Sequence, residues 1–367
     1  MQPVGVGIIG AGNISDAYLK AAPQFGALRI IACADINPAA AHAKAAVYGI
    51  EALSVAALLA DPRVEIVLNL TTPAHHVPVG LQAIAAGKHV YSEKPLAIAL
   101  VEAERLVVAA KAAGLRVGCA PDTFLGGAHQ TARAALDAGV IGEVVAGSCF
   151  MMVPGHELWH PNPDFYYQPG GGPMLDMGPY YLTCLVNMLG PVRSLVGSAQ
   201  AAYESRTIGS GARAGQSFAV QVPTHISGIL QFESEASVTI TTSFDVWKHG
   251  HNHIELYGRK GAMVVADPNQ FMGEILVAEK KGEWVPVPQV HKYGDGNYRI
   301  LGLADMAAAI RAGRRHRASL ELSLHVLEVM EGILTGAETG QRVQMRLGCA
   351  RPDLLPAGLP FGVMEGA

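Results

Sequence analysis

Between Val4 and Ala120 the sequence alternates short, continuously apolar runs with alanine-rich stretches of helical length. No other feature of the chain constrains the fold as tightly. Val4–Ile9, Leu28–Ala34, His89–Ser92 and residues 65–70 and 116–120 read as strands. Residues 13–22, Pro38–Tyr48, and residues 76–86 and 99–113 read as helices, the first stopped by Pro23 and the third by Gly87. Strands with no polar alternation must be buried on both faces, which calls for a parallel sheet with helices on either side. The expectation is a doubly wound α/β domain over residues 1–121.

Past Gly142 the pattern changes. Val238, Ile240, Thr242 and Phe244 alternate with Thr239, Thr241, Ser243 and Asp245, so the two sets fall on opposite faces of a strand. Further strands are expected over 194–203, 227–232, 252–257, 263–266 and 275–278, which suggests an antiparallel sheet with one face solvated or covered by a partner. Residues 128–138 read as a helix stopped by Gly139. Leu303, Ala307 and Ile310 mark one later helix. Leu320, Leu324, Leu327 and Leu334 mark another, with Ser319 as its N-cap. The last ~18 residues read as an irregular tail. Residues 122–367 are therefore expected to form a second, α+β domain with a large, open, mainly antiparallel sheet.

Composition narrows the function classes. The chain has 367 residues, of which 50% are hydrophobic and 16% charged. A typical domain carries about 25% charged residues, so this chain can fill a large core and points to a buried oligomer interface. A net charge of −4 is a poor match to nucleic acid. Cys33, Cys119, Cys149, Cys184 and Cys349 are widely spaced, with no C-x-x-C pair, as expected for reduced thiols in a core. No basic segment precedes Val4, and no apolar run nears the ~18 residues of a membrane span. A soluble cytoplasmic protein is expected.

Gly10-Ala11-Gly12-Asn13-Ile14-Ser15 follows a buried strand and opens a helix, the setting of a dinucleotide-binding turn. Gly10 suits the tight turn, and Gly12 lets the backbone approach a pyrophosphate. Ser15 stands at the third glycine position, so the strict fingerprint is not met. Asp35 ends the second strand at about the distance where a ribose-binding acid is expected; such a carboxylate favours NAD over NADP, while a plain solvated turn with Asn37 and Pro38 is the alternative. Glu93-Lys94-Pro95 leaves another strand at its C-terminal edge, where ligands bind in such sheets. Asp176 and Tyr180 follow Gly170-Gly171-Gly172 and share a helix face at i and i+4. Lys94, Asp176 and Tyr180 are expected to converge.

Taken in order, Gly10/Gly12, Thr72-Pro73 with His76, Ala86-Gly87-Lys88-His89-Val90, Glu93-Lys94-Pro95, Gly170-Gly171-Gly172 with Asp176, and the Tyr257-Gly258-Arg259-Lys260-Gly261 turn resemble the Gfo/Idh/MocA oxidoreductase family. The resemblance runs from Val4 to about Val343. It implies a Rossmann domain holding NAD or NADP, followed by a sheet domain used for homodimer or homotetramer contacts. It implies cofactor contacts at Gly10, Gly12, Asn13, Ile14, Asp35, Thr71, Thr72, Pro73, His76, Glu93 and Lys94. It makes Lys94 the lysine that meets both substrate and nicotinamide, and Asp176 the aspartate of a D-x-x-x-H motif. Here Tyr180 replaces the usual histidine, as in glucose–fructose oxidoreductase, and becomes the first candidate base, its phenolate favoured by Lys94. Where relatives carry Asn followed by Arg-Phe, this chain has Ala120-Pro121-Asp122-Thr123-Phe124, so Asp122 or Thr123 takes a polar role or the segment is simply a turn.

His156, Trp159 and His160, with Phe165, Tyr166 and Tyr167, form an aromatic, polar loop suited to a sugar. His249, His251 and His253 alternate, which on a strand gives one surface or interface face rather than a metal site. The implied activity is hydride transfer between nicotinamide and a hydroxyl carbon of a sugar, polyol or glycoside. The rival readings are a sugar–sugar oxidoreductase with tightly held NADP and a non-catalytic dinucleotide-binding regulator. Neither nucleic acid nor a membrane is an expected partner.

Overall fold

The computed structural model describes residues 2–364; Met1 and the last three residues of the expected tail lie outside the described residues. Two compact units emerge. One runs up to Gln130 and takes in Gln289–Leu324 and the chain from Pro352 onward; the other comprises Thr131–Pro288 and His325–Arg351.

In the first unit the strands are β1 (Val4–Ile9), β2 (Leu28–Ala34), β3 (Glu51–Ala52), β4 (Ile66–Asn69), β5 (His89–Ser92) and β6 (Val117–Cys119). All pair in parallel, in the order β3-β2-β1-β4-β5-β6. The order reverses between β1 and β4, the switch point where doubly wound sheets bind ligands. Every residue of β1 and β4 is buried, which is why these strands read as unbroken apolar runs. The helices are α1 (Ser15–Ala21), α2 (Pro38–Tyr48), α3 (Val55–Ala60), α4 (His76–Ala85) and α5 (Leu100–Ala113). Asn37 caps α2 by accepting from the Ala39 N–H, and Gly49 and Gly114 close α2 and α5 in left-handed conformations.

The second unit begins within α6 (Gly127–Asp137) and builds its sheet from β7 (Val144–Met152). Next come α7 (Pro173–Leu189), β8 (Val192–Gln200), β9 (Ser205–Thr207), β10 (Ser217–Ala219), β11 (His225–Phe232), β12 (Ser237–Ser243), β13 (Ile254–Gly258), β14 (Gly261–Val265), β15 (Leu276–Glu279) and β16 (Val285–Pro286). Nine strands order as β16-β15-β14-β13-β7-β12-β11-β8-β17, where β17 is Val343–Gln344. Among the described residues of this sheet, only β7 and β12 pair in parallel. β9 and β10 form a separate hairpin.

Two expectations need correction here. Val238 and Ile240 are buried and Thr239 exposed, as period two requires, but Thr241 and Ser243 are buried as well. They are covered because cross-strand partners satisfy them: Ser227 Oγ lies 2.9 Å from Thr241 Oγ1, and His225 Nδ1 lies 2.9 Å from Ser243 Oγ. His249, His251 and His253 precede β13 rather than lying on it. Their segment turns locally, with the His251 N–H donating to His249 Nδ1 and Asn252 Nδ2 donating to Glu255 Oε1. Among the described residues no three His, Cys, Asp or Glu side chains are grouped to hold a metal ion.

The chain then returns to the first unit. Helix α8 (Leu301–Ala312) is buried along most of its length, and Arg311 forms an ion pair with Glu65 at 2.6 Å. Residues 289–324 and 352–367 were assigned by sequence to the second domain, yet their described part packs with the first unit through such contacts. Helix α9 (Leu320–Thr339) starts beside Ser319, whose hydroxyl accepts from the Leu322 N–H as expected of an N-cap. No helix among the described residues is long and apolar enough to cross a membrane.

Candidate active site

The turn after β1 is built as a dinucleotide site needs. Gly10 has φ +105°, and a Cβ there would sit 2.6 Å from the Leu70 carbonyl, so only glycine fits. At Gly12 a Cβ would meet nothing within 4 Å. Gly12 and Asn13 are exposed and Ile14 half-buried, which leaves open space over the turn where a pyrophosphate would lie. Ser15 is buried, and its hydroxyl donates to the Gly12 carbonyl at 2.6 Å, so the third position is filled by a small side chain that satisfies itself within the turn.

Asp35, directly after β2, reaches this turn. Its Oδ2 accepts from the Ala11 N–H at 2.7 Å and its Oδ1 from the Asn37 N–H at 2.8 Å. Each oxygen keeps a further lone pair. The carboxylate thus fixes the glycine turn and remains able to accept from ribose hydroxyls.

The loop after β4 is equally fixed. Thr71 donates through both its N–H and its hydroxyl to Asn69 Oδ1, and Asn69 Nδ2 donates to the His76 carbonyl. The His76 ring is buried between the Thr71 and Pro95 carbonyls, at 3.0 and 2.6 Å. Burial lowers its pKa, while the two carbonyls oppose that change. His76 therefore ties the Thr71–Thr72–Pro73 loop to the segment that carries Lys94. Thr72 and Pro73 are exposed above it, and Thr72 Oγ1 lies 2.8 Å from His75 Nδ1.

Glu93 is buried under the same segment. Tyr18 donates its hydroxyl to Glu93 Oε1 at 2.8 Å, and the Lys94 N–H donates to Oε2 at 2.9 Å. Both carboxylate oxygens hold donors, one from α1 and one from Lys94, whose side chain is half-buried. The Lys94–Pro95 and Ala120–Pro121 peptides are cis.

The Asp122 carboxylate faces the start of α8. It is 1% exposed, and its Oδ2 accepts from the Ile300 and Gly302 N–H groups at 3.0 Å each, at the start of α8. Burial pushes its carboxyl up to about 6, against the two N–H bonds. Its visible polar role is to cap that helix. Thr123 is buried in the adjoining turn.

The second unit holds the remaining candidates. Asp176 and Tyr180 lie one turn apart on α7. Gly172, with φ +89°, precedes the helix as its N-cap, and its N–H donates to the Tyr166 carbonyl at 2.7 Å. A Cβ at Gly171 would lie 2.5 Å from the Phe165 carbonyl, so the glycine run lets the aromatic loop close over the helix start. That loop delivers His156 to the helix: His156 Nε2 lies 3.0 Å from Asp176 Oδ2. The imidazole is held by Tyr166 edge-on at 4.4 Å, Phe244 at 4.4 Å and Trp159 at 5.3 Å between ring centroids. Trp159 is exposed, and His160 packs on Phe165 and Tyr166. The sequence placed His156 among the substrate contacts; its pairing with Asp176 was not foreseen. The next residue of α7, Tyr181, donates to Asp267 Oδ1 at 3.0 Å and lies 3.1 Å from His253 Nδ1, which gives the last of the alternating histidines a partner.

Comparison with known proteins agrees with this architecture. Residues 4–120 match the family described as "Oxidoreductase family, NAD-binding Rossmann fold", and residues 129–264 match the GFO/IDH/MocA C-terminal domain. The chain is 27% identical over 353 residues to 1,5-anhydro-D-fructose reductase of Ensifer adhaerens, covering 93% of this chain and 98% of the relative. It is 30% identical over 292 residues to inositol 2-dehydrogenase of Rhizobium meliloti, covering 78% and 82%. A crystal structure of an NAD binding oxidoreductase from Klebsiella pneumoniae superposes with a TM-score of 0.81 at 23% identity, over 93% of this chain and 99% of that one. With its parallel Rossmann sheet, its mixed second sheet and its dehydrogenase and reductase relatives, the chain belongs to the Gfo/Idh/MocA family of nicotinamide-dependent oxidoreductases.

Proposed function

We propose that this protein is an NAD-dependent dehydrogenase or reductase acting on a hydroxyl-bearing carbon of a cyclic sugar, polyol or glycoside, with His156 and Asp176 as its proton-transfer pair. The observation that carries the reading is the 3.0 Å contact between His156 Nε2 and Asp176 Oδ2. Removing hydride from an alcohol requires its hydroxyl proton to leave as well, so a positioned base is needed. A proton on His156 Nε2, donated to the carboxylate, leaves Nδ1 with a lone pair to accept the substrate proton. Lys94 is assigned the hydrogen bond to the reacting oxygen, whose developing charge it stabilises. Tyr180 is assigned a hydrogen bond to a substrate hydroxyl and is the alternative base. When bound, the nicotinamide supplies the hydride acceptor in oxidation or the donor in reduction.

The first unit is assigned the cofactor, through Gly10, Gly12, Asn13, Ile14, Asp35, Thr71, Thr72, Pro73, His76, Glu93 and Lys94. Asp35 supports NAD, because a carboxylate beside the ribose repels a 2′-phosphate. The relatives' names support cyclic substrates, since 1,5-anhydro-D-fructose and inositol are both polyhydroxylated rings. Exposed apolar residues on the sheet, Val145, Ile229, Tyr257 and Val285, support a homodimer or homotetramer formed there. The buried free thiols Cys33, Cys119, Cys149 and Cys184 support a reducing, cytoplasmic setting.

The test is a screen of the purified protein with NAD⁺ and NADP⁺ against inositols, aldoses and simple glycosides, and with NADH against 1,5-anhydro-D-fructose, following nicotinamide absorbance. Turnover with NAD(H) that disappears in Lys94→Ala is the expected result. Cofactor binding with no turnover on any ring substrate would overturn the reading.

A further inference from the structure

The 3-10 turn His156–Leu158 does more than place His156. Its next residue, Glu157, is buried and lines a separate cavity of about 260 Å³ within the second unit, together with Tyr203, Ser205, Arg206, Asp245 and Trp247. The Arg206 guanidinium lies over the Tyr167 ring at 5.2 Å and over the Tyr203 ring at 5.0 Å. Nη1 donates to Glu157 Oε1 at 2.6 Å, and Nη2 donates to Asp245 Oδ1. Tyr167 donates its hydroxyl to Glu157 Oε2, and Thr224 donates to Asp245 Oδ2 at 2.7 Å.

This network decides what the cavity can take. All four carboxylate oxygens already accept a hydrogen bond, so they are poorly placed to coordinate a cation. Two carboxylates around one guanidinium leave the floor with net negative charge, which disfavours a phosphate or a carboxylate ligand. Nη1 also donates to the Pro154 carbonyl at 3.3 Å, and one guanidinium nitrogen is left without a hydrogen-bond partner: Nε, buried on a side chain only 6% exposed. A buried unpaired donor is costly, and a neutral oxygen acceptor relieves that cost. Above this floor two aromatic rings stand in solvent, Tyr203 at 51% and Trp247 at 72% exposure, with the exposed Ser205 between Tyr203 and Arg206 in the chain. Aromatic faces beside hydroxyl and N–H donors match a pyranose, whose C–H face is apolar and whose rim carries hydroxyls. The volume is just below the ~300 Å³ at which drug-sized sites begin, the scale of a single ring.

We propose that this cavity is a binding subsite for a neutral sugar ring, distinct from the proton-transfer pair and joined to it through the turn that carries both His156 and Glu157. The ring stacks on Trp247 or Tyr203 and offers a hydroxyl oxygen to the guanidinium edge. The proposal does not depend on hydride transfer, because none of the cavity groups is Lys94, Asp176 or Tyr180. Its failure and the failure of the catalytic reading are therefore separate results.

The chain has three tryptophans, Trp159, Trp247 and Trp284, so its indole N–H resonances can be assigned by substitution. The full-length ¹⁵N-labelled protein, without added nucleotide, is titrated into the millimolar range with cellobiose and with methyl β-D-glucopyranoside, and its mass is followed by light scattering. The expected result is a saturable shift of the Trp247 indole, with sugar binding about five- to tenfold weaker in Trp247→Ala and in Tyr203→Ala. A shift of Trp159 alone, or affinity unchanged in both variants, places all sugar binding elsewhere and overturns the proposal. A fall in oligomer mass in Trp247→Arg also overturns it, because the cavity is then a contact with a second copy of the chain.

Discussion

His156 Nε2 lies 3.0 Å from Asp176 Oδ2, so an imidazole from 20 residues upstream sits on the carboxylate whose own i+4 neighbour is Tyr180 rather than histidine. The pairing turns the departure at position 180 into a question about two candidate bases. A base that accepts the substrate proton in the transition state contributes ~10²–10⁴-fold to the rate. His156→Ala is expected to lower kcat/KM within that range, because it removes the imidazole paired with Asp176. Tyr180→Phe is expected to lower kcat/KM less than about tenfold, the loss of one substrate hydrogen bond. Steady-state kinetics of both variants decide between them. A collapse in Tyr180→Phe with kcat/KM little changed in His156→Ala would move the base to the tyrosine.

The two glycines of the first turn are expected to separate folding from cofactor binding. Gly10 has φ +105° with the Leu70 backbone against its α-carbon, so Gly10→Ala strains the turn itself. Gly12 faces open space, so Gly12→Val leaves the protein folded but fills the cradle. Gly12→Val should keep the wild-type melting temperature and weaken NADH binding by at least about tenfold, measured by quenching of protein fluorescence. Gly10→Ala should lower the melting temperature as well. Normal NADH affinity in Gly12→Val would mean that the cofactor does not approach this turn.

The outcome at particular residues shows what was legible in the sequence. The βα alternation was readable because β1 is buried throughout and β2 and β5 over most of their length, with no competing period, and their observed limits coincide with the expected ones. β3 and α3 were missed: two residues of strand and six of helix are too short to show a period. The return of α8 to the first unit depends on contacts such as Arg311 with Glu65, 246 residues apart, and on the Asp122 carboxylate meeting Ile300 and Gly302. No local pattern encodes such pairs. Asp176 and Tyr180 were legible as neighbours because helical spacing fixes them. His156 was not assigned to Asp176, because it sits in an irregular loop where chain position alone says nothing about where a side chain lands.

Asp35 is expected to set cofactor preference. Its carboxylate is anchored by the Ala11 and Asn37 N–H groups, so its charge is held beside the glycine turn. Asp35→Ser removes that charge but keeps a short hydroxyl-bearing side chain. The variant should lose at least about tenfold in kcat/KM with NAD⁺ and gain relative to it with NADP⁺. Parallel titrations with both nucleotides give the ratio directly, and an unchanged ratio would place the ribose away from Asp35.

Asp122 carries a pH dependence of stability whose sign follows from its burial. Desolvation raises its carboxyl to about 6 in the folded chain, against an ordinary value of about 4 when unfolded. Between those values the folded protein keeps a proton that the unfolded chain has released. The associated stability is therefore fully present below about pH 4, falls as pH rises, and is lost above about pH 6. The difference corresponds to roughly 3 kcal/mol. Both N–H bonds from the start of α8 converge on the single oxygen Oδ2, so an amide carbonyl can accept them both. Tyr91 adjoins the same turn, since a Cβ on Gly302 would lie 2.1 Å from its hydroxyl and 2.9 Å from Asp122 Cβ. That hydroxyl is buried without a partner and can accept from the amide NH₂. Asp122→Asn should therefore flatten the decline of melting temperature between pH 5 and 7 and raise the melting temperature above pH 7 by several degrees. A variant that is less stable at every pH, with the wild-type slope retained, would show that the charged carboxylate is what holds α8 in place.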